Sequence, residues 1–148
     1  LYNFCTPSEL KEKFINKKFN DLFDEKDLVK DFYLNDDEIN QIAQNNLIQN
    51  HLYKHLNLMN LDHKSFYKNL IKNHNIIEKK FGCKCSIISY PYGNSDAIKK
   101  DFVEILKENN YKFGITMRRK TNNNLSDMYR LNRFDNNDLP GGKFYKKN

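Results

Sequence analysis

The chain has 148 residues, 39% of them hydrophobic, and a formal net charge of +6. That length suits one domain with a sizeable core, and no apolar run nears the ~20 residues of a membrane span. The net charge suits a nucleic acid or an anionic polymer, but the lysines are scattered among acids such as Glu12, Asp21, Asp24, Glu25 and Asp31. With no run of five cations, the expectation is a solvated basic surface and no nucleic-acid partner.

Taken in chain order, residues 8–32 read as helical, with Ser8 as N-cap and Leu10, Phe14, Phe19, Leu22 and Phe23 as an apolar stripe. Asp36 is expected to cap a short helix through Gln44, with Ile39 and Ile42 inward. Leu47-Ile48-Gln49-Asn50 reads as a short strand that delivers His51 at its end. Asp62 opens the longest helix, carrying Phe66, Leu70, Ile76 or Ile77 and Phe81, and Gly82 stops it. Cys85-Ser86-Ile87-Ile88-Ser89 reads as a buried strand ended by Pro91 and Gly93. Ser95 or Asp96 caps a further helix containing Ile98, Phe102, Ile105 and Leu106, ending at Asn109-Asn110. Residues 112–117 form the next strand, 121–124 a loop, and 129–134 a last strand; Pro140-Gly141-Gly142 closes the ordered part. Strands alternating with helices imply an α/β fold with a largely parallel sheet. His51, Tyr92 and the segment after Thr116 all follow strands, where the active sites of such folds lie.

Three cysteines, with Cys83 and Cys85 two apart, make no even disulfide framework. They read as ordinary thiols in a reducing compartment, so a cytoplasmic location is expected. No signal peptide is visible, and a first residue of Leu1 suggests a fragment or a processed product.

Two histidines four residues apart, His51 and His55, can hold one metal ion, and neutral imidazole suits zinc. The pair follows a short apolar strand and precedes Leu56-Asn57-Leu58. About thirty residues on, Tyr90-Pro91-Tyr92-Gly93-Asn94 forms a rigid turn able to wall a groove beside it.

Asn50-His51-Leu52-Tyr53-Lys54-His55-Leu56-Asn57-Leu58 resembles the second motif of polysaccharide deacetylases of the NodB-homology type, carbohydrate esterase family 4. Ile88-Ser89-Tyr90-Pro91-Tyr92-Gly93-Asn94 resembles the third motif. Residues 111–116 resemble the strand in which such proteins read Gly-Tyr-x-x-Ala-x-Thr, and 130–139 the segment that closes many small members. The likeness spans 33–139, after a helical lead-in at 1–32 and before a tail at 140–148, as a single partial domain. It implies part of a distorted (β/α) barrel with a mostly parallel sheet and outer helices. It also implies deacetylation of an acetylated oligo- or polysaccharide, at nitrogen or oxygen, by metal-activated water. By this resemblance His51 and His55 are ligands of a divalent ion, usually Zn2+. The Tyr92 backbone N–H contacts the oxyanion, Tyr90, Pro91, Tyr92 and Gly93 line the sugar site, and Arg133 contributes charge.

The departures are as informative. The family's first motif, Thr-Phe-Asp-Asp, supplies the general base and a third ligand from upstream of the histidines. Here the nearest acidic pairs upstream, Asp36-Asp37 and Asp24-Glu25, sit in helical polar surroundings and read as helix N-terminal acids. The arginine often found two positions before the motif proline is Ser89, and no Leu-x-His motif follows near the C-terminus. His63 and His74 are expected to be solvent-facing. The chain alone is therefore expected to be poor at hydrolysis, either as a fragment or as a noncatalytic carbohydrate-binding relative.

Overall fold

The structure, a computed structural model, describes residues 8–123 and 125–143, without the side chains of Ser8, Glu9 and Asp31. The cap expected of Ser8, Cys5 and the tail beyond residue 143 lie outside the described residues. The chain forms two compact units, Leu1–Asn45 and Asn46–Asn148, so the division falls later than the lead-in boundary expected at residue 32.

The first unit is helical. The helical stretch expected over 8–32 forms two helices, α1 (Ser8–Leu22) and α2 (Glu25–Phe32), because Asp24 is extended and its carboxylate accepts from the Lys26 N–H at 2.8 Å. A side chain that caps a new helix ends the previous one. In α3 (Asp36–Ala43) the cap is Asn35, not Asp36: Asn35 accepts from the Asp37 and Glu38 N–H groups, and Glu38 accepts from the Asn35 N–H. Asp36 and Asp37 lie in the first turn as expected. The expected apolar stripe is largely on the surface: Leu10, Phe14, Leu22 and Phe23 are all more than half exposed. Ile42, expected inward, is also exposed, and Ala43 is buried in its place.

The second unit holds a two-stranded parallel sheet of β1 (Ile87–Ser89) and β2 (Phe113–Ile115), in register Ile87↔Phe113, Ile88↔Gly114 and Ser89↔Ile115. The strands expected at 47–50 and 129–134 contract to single parallel bridges, Asn50↔Ile88 and Ile115↔Leu131. Four parallel segments thus follow one another in chain order. Pro91, which has no N–H to donate, closes the β1 line.

The first two crossovers contain α4 (His63–Phe81) and α5 (Lys100–Glu108). The Asp62 carboxylate caps α4 by accepting from the Ser65 N–H at 2.7 Å, and Gly82 ends it in the left-handed region at φ 69°. Phe66, Leu70 and Ile77 of α4 and Phe102, Ile105 and Leu106 of α5 are buried, and the Phe66 and Phe102 rings stack at 4.2 Å. Ile88, Tyr90 and Tyr111 complete this core. The expected caps of α5 differ. Asn94 caps a 3-10 turn, Ser95–Ala97, and α5 begins after Lys99 with no side-chain cap. No helix of the described residues is long and apolar enough to cross a membrane.

Candidate active site

The site grows from the end of the first parallel segment. Asn50 exchanges backbone hydrogen bonds with β1, donating to Ile87 O and accepting from Ser89 N. That places His51 beside Ser89, whose carbonyl lies 2.5 Å from His51 Nδ1. A carbonyl only accepts, so Nδ1 carries the proton and the Nε2 lone pair is left for another partner. Partial burial lowers the His51 pKa below the ordinary imidazole value, and His55 and Arg133 act in the same direction, against the Ser89 bond.

His55 returns to His51 by a short loop in which Leu52 and His55 take φ of 60° and 50°. Such values are costly for side chains with a Cβ. The two imidazoles meet edge-on with centroids 4.8 Å apart, and the His55 ring meets Tyr92 at 5.0 Å. Tyr92 itself has φ 60°. Three strained non-glycine residues therefore surround one aromatic cluster.

The Tyr-Pro-Tyr-Gly turn is built tightly. Gly93 N–H donates to Tyr90 O, Met117 N–H donates to Gly93 O, and a Cβ on Gly93 would stand 2.5 Å from the Met117 nitrogen. Among the described residues the Tyr92 N–H donates to nothing, so it is available to an oxygen in the cleft. The groove-lining part expected of the neighbouring residues needs correction. Tyr90 is 1% exposed, its hydroxyl donates to Tyr129 O at 2.9 Å, and burial pushes its pKa well up. Pro91 and Gly93 are buried as well, so Tyr92 is the part of the turn whose side chain reaches the cleft.

Arg133 does come to the site. Its Nη1 donates to Ser89 Oγ at 3.3 Å, from the segment that bridges to β2. Asp138, five residues further on, pairs with Arg119 at 3.0 Å. His63 and His74 stay away from the cluster. His63 faces Asp101, and His74 is half-buried against the Tyr111 hydroxyl at 3.1 Å, not solvent-facing as expected. Cys83 and Cys85 are buried free thiols, and burial pushes Cys85 up to about 11, which leaves it inert.

The residue that sequence reasoning missed is Asn50. Fully buried, its Nδ2 donates to Leu70 O and to the Tyr111 hydroxyl, and its Oδ1 accepts from the Leu52 N–H and from Asn73. It ties the strained histidine loop to α4 and to the start of β2. A polar residue at the end of an apolar run, just before a histidine, was the available signal.

As a metal site the cluster is partial. Nδ1 held by a backbone carbonyl is how metal-bound histidines are commonly oriented, so His51 and His55 fit as two ligands. Among the described residues no group of three or more His, Cys, Asp or Glu side chains gathers to complete a site.

Parallel segments joined by helical crossovers, with histidines and a tight aromatic turn at their C-terminal ends, define an α/β protein with its histidine cluster at the strand ends. The chain belongs to the polysaccharide deacetylase family, whose pattern matches residues 12–114. That match begins well before the likeness read from the motifs and stops at β2. No curated protein matches the chain. Among solved structures, the deacetylase PplD of Streptococcus pyogenes, in complex with acetate, is 20% identical with a TM-score of 0.57, over 68% of this chain and 44% of that one. The BpsB deacetylase domain from Bordetella bronchiseptica is 15% identical with a TM-score of 0.58, over 70% and 49%. The chain thus spans less than half the length of these structures, and at such identities the likeness speaks for the fold alone.

Proposed function

We propose that this chain carries the histidine and oxyanion half of a glycan deacetylase site, in part of a NodB-type barrel. The observation that carries the reading is the contact cluster of His51, His55 and Tyr92, with His51 held through Nδ1 by the Ser89 carbonyl. His51 and His55 are two ligands of a divalent ion, zinc by ligand chemistry. When bound, such an ion polarises the acetyl carbonyl and lowers the pKa of its water.

The chain's own residues supply the rest. The Ser89 carbonyl fixes the His51 tautomer, the free Tyr92 N–H donates to the developing oxyanion, and the Tyr92 ring walls the acetyl side of the cleft. The substrate is an acetylated glycan, bound at the strand ends. The third ligand and the general base come from residues other than those described.

Isothermal titration with zinc tests this. The chain binds zinc weakly, and His51→Ala abolishes the uptake; equal uptake with and without His51 refutes the ligand assignment. A second reading, a noncatalytic carbohydrate-binding relative, is favoured by the absence of a third metal-binding side chain among the described residues. Saccharide binding that survives chelation supports it.

A further inference from the structure

The segment that follows β2 carries cations to which the proposed deacetylation chemistry gives no role. Arg118 and Lys120 follow directly on β2, at the strand ends where the histidines stand, and both are exposed. Their segment is fixed to the site from both sides. Met117 N–H donates to Gly93 O at 2.9 Å, and Arg133 N–H donates to Arg118 O at 3.0 Å. Asn122 and Asn132 clasp the same loop through two reciprocal bonds.

The acids of this region are already engaged. Asp138 holds Arg119, and Asp127 holds Arg130, whose Nη2 also donates to Ile98 O. Asp135 caps its own turn through the Asn137 N–H and side chain. Among the described residues no carboxylate stands within ion-pair distance of Arg118, Lys120 or Arg133, and Arg133 has only the Ser89 hydroxyl as a side-chain partner. Arg133 and Arg119 also act on Asp135, but cations outnumber acids five to three over residues 118–138, which leaves an excess of positive charge in this stretch. Fixed cations beside a partly desolvated cleft attract anions and bind them through charge-assisted hydrogen bonds.

We infer that the glycan accepted at this site carries an anionic group, a carboxylate or a phosphate, close to the acetyl that is removed, and that Arg118, Lys120 and Arg133 receive it. The inference rests on the glycan-site reading above and names its substrate class.

Calorimetric binding to the whole chain tests it with three sugars: neutral diacetylchitobiose, N-acetylglucosaminyl-N-acetylmuramic acid for the carboxylate, and N-acetylglucosamine 1-phosphate for the phosphate. One of the acidic sugars is expected to bind about tenfold tighter than the neutral one at low salt, with the gap narrowing as salt is raised. The tighter of the two identifies the group. The double variant Arg118→Gln, Lys120→Gln is expected to bring the acidic sugar close to the neutral affinity while leaving the neutral affinity unchanged. Equal binding of neutral and acidic sugars overturns the charge preference alone, as does a preference that survives the double variant. If no sugar binds, the glycan-site reading falls with it. Tighter binding of oligodeoxythymidine than of any sugar overturns the inference in favour of a nucleic acid.

Discussion

Replacing Asn50 by leucine keeps the branch at Cγ, adds bulk and removes its hydrogen bonds. The side chain donates to Leu70 O at 3.0 Å and to the Tyr111 hydroxyl at 2.6 Å, and accepts from the Leu52 N–H at 2.9 Å and from Asn73 Nδ2 at 3.1 Å. Asn73 is partly exposed and Tyr111 retains His74, so those two groups recover part of the loss. The Leu70 carbonyl keeps its helical bond within α4, so the buried Leu52 N–H is the group left without a partner. At about 1–3 kcal/mol for a buried polar group left unpaired, with the partial losses at Asn73 and Tyr111 added, Asn50→Leu costs about 2–3 kcal/mol. That is a measurable part of the roughly 5–15 kcal/mol that holds a domain folded. The same bond holds Leu52 at its φ of 60°, so the histidine loop loosens before the unit unfolds. Urea denaturation followed by circular dichroism measures the first effect, and hydrogen exchange at the Leu52 amide measures the second. An unfolding free energy within about 1 kcal/mol of the parent, with the Leu52 amide still protected, refutes the view that Asn50 ties the loop to the core.

Two further outcomes follow from local geometry. Gly93→Ala sets a Cβ against the Met117 backbone nitrogen and forces a side chain into φ 52°, so thermal unfolding should report a loss of about 2–4 kcal/mol; an unchanged Tm refutes the packing of the turn. The Asp62 pKa is lowered from its ordinary 3.8, first by its side-chain hydrogen bond to Ser65, then by the Ser65 N–H. Because the folded-state pKa is the lower one, its contribution is present above 3.8 and is lost as pH falls through the depressed value. Asp62→Asn keeps a cap acceptor without the titration, so acid unfolding of the variant should begin at lower pH than that of the parent; identical acid limbs refute the assignment.

Features that one residue type signals locally were legible in the sequence. Asp62 and Gly82 mark the two ends of α4 because a carboxylate cap and a left-handed glycine are local chemistry, and the His51–His55 pair declared itself by spacing. Features that depend on a distant partner were not. The break at Asp24 looked like one more surface acid in a polar helix, and the outer strands shrank to bridges because periodicity records side chains and not pairing. Tyr90 looked like a groove residue, yet a tyrosine whose hydroxyl finds a carbonyl can be buried whole. Arg133 meets Ser89 across 44 residues, a contact that no spacing rule predicts.

The capping residues have a consequence for how this chain can vary. Asp24, Asn35, Asn57, Asp62, Asn94 and Asp135 each begin a helix or turn by offering a side-chain oxygen to the backbone. Asparagine and aspartate are nearly equivalent in that task. Exchanging the exposed Asn35 and Asn94 for aspartate lowers the formal net charge of +6 by two and still leaves an oxygen at both caps. The isoelectric point of the molecule can therefore drift while its architecture stands still.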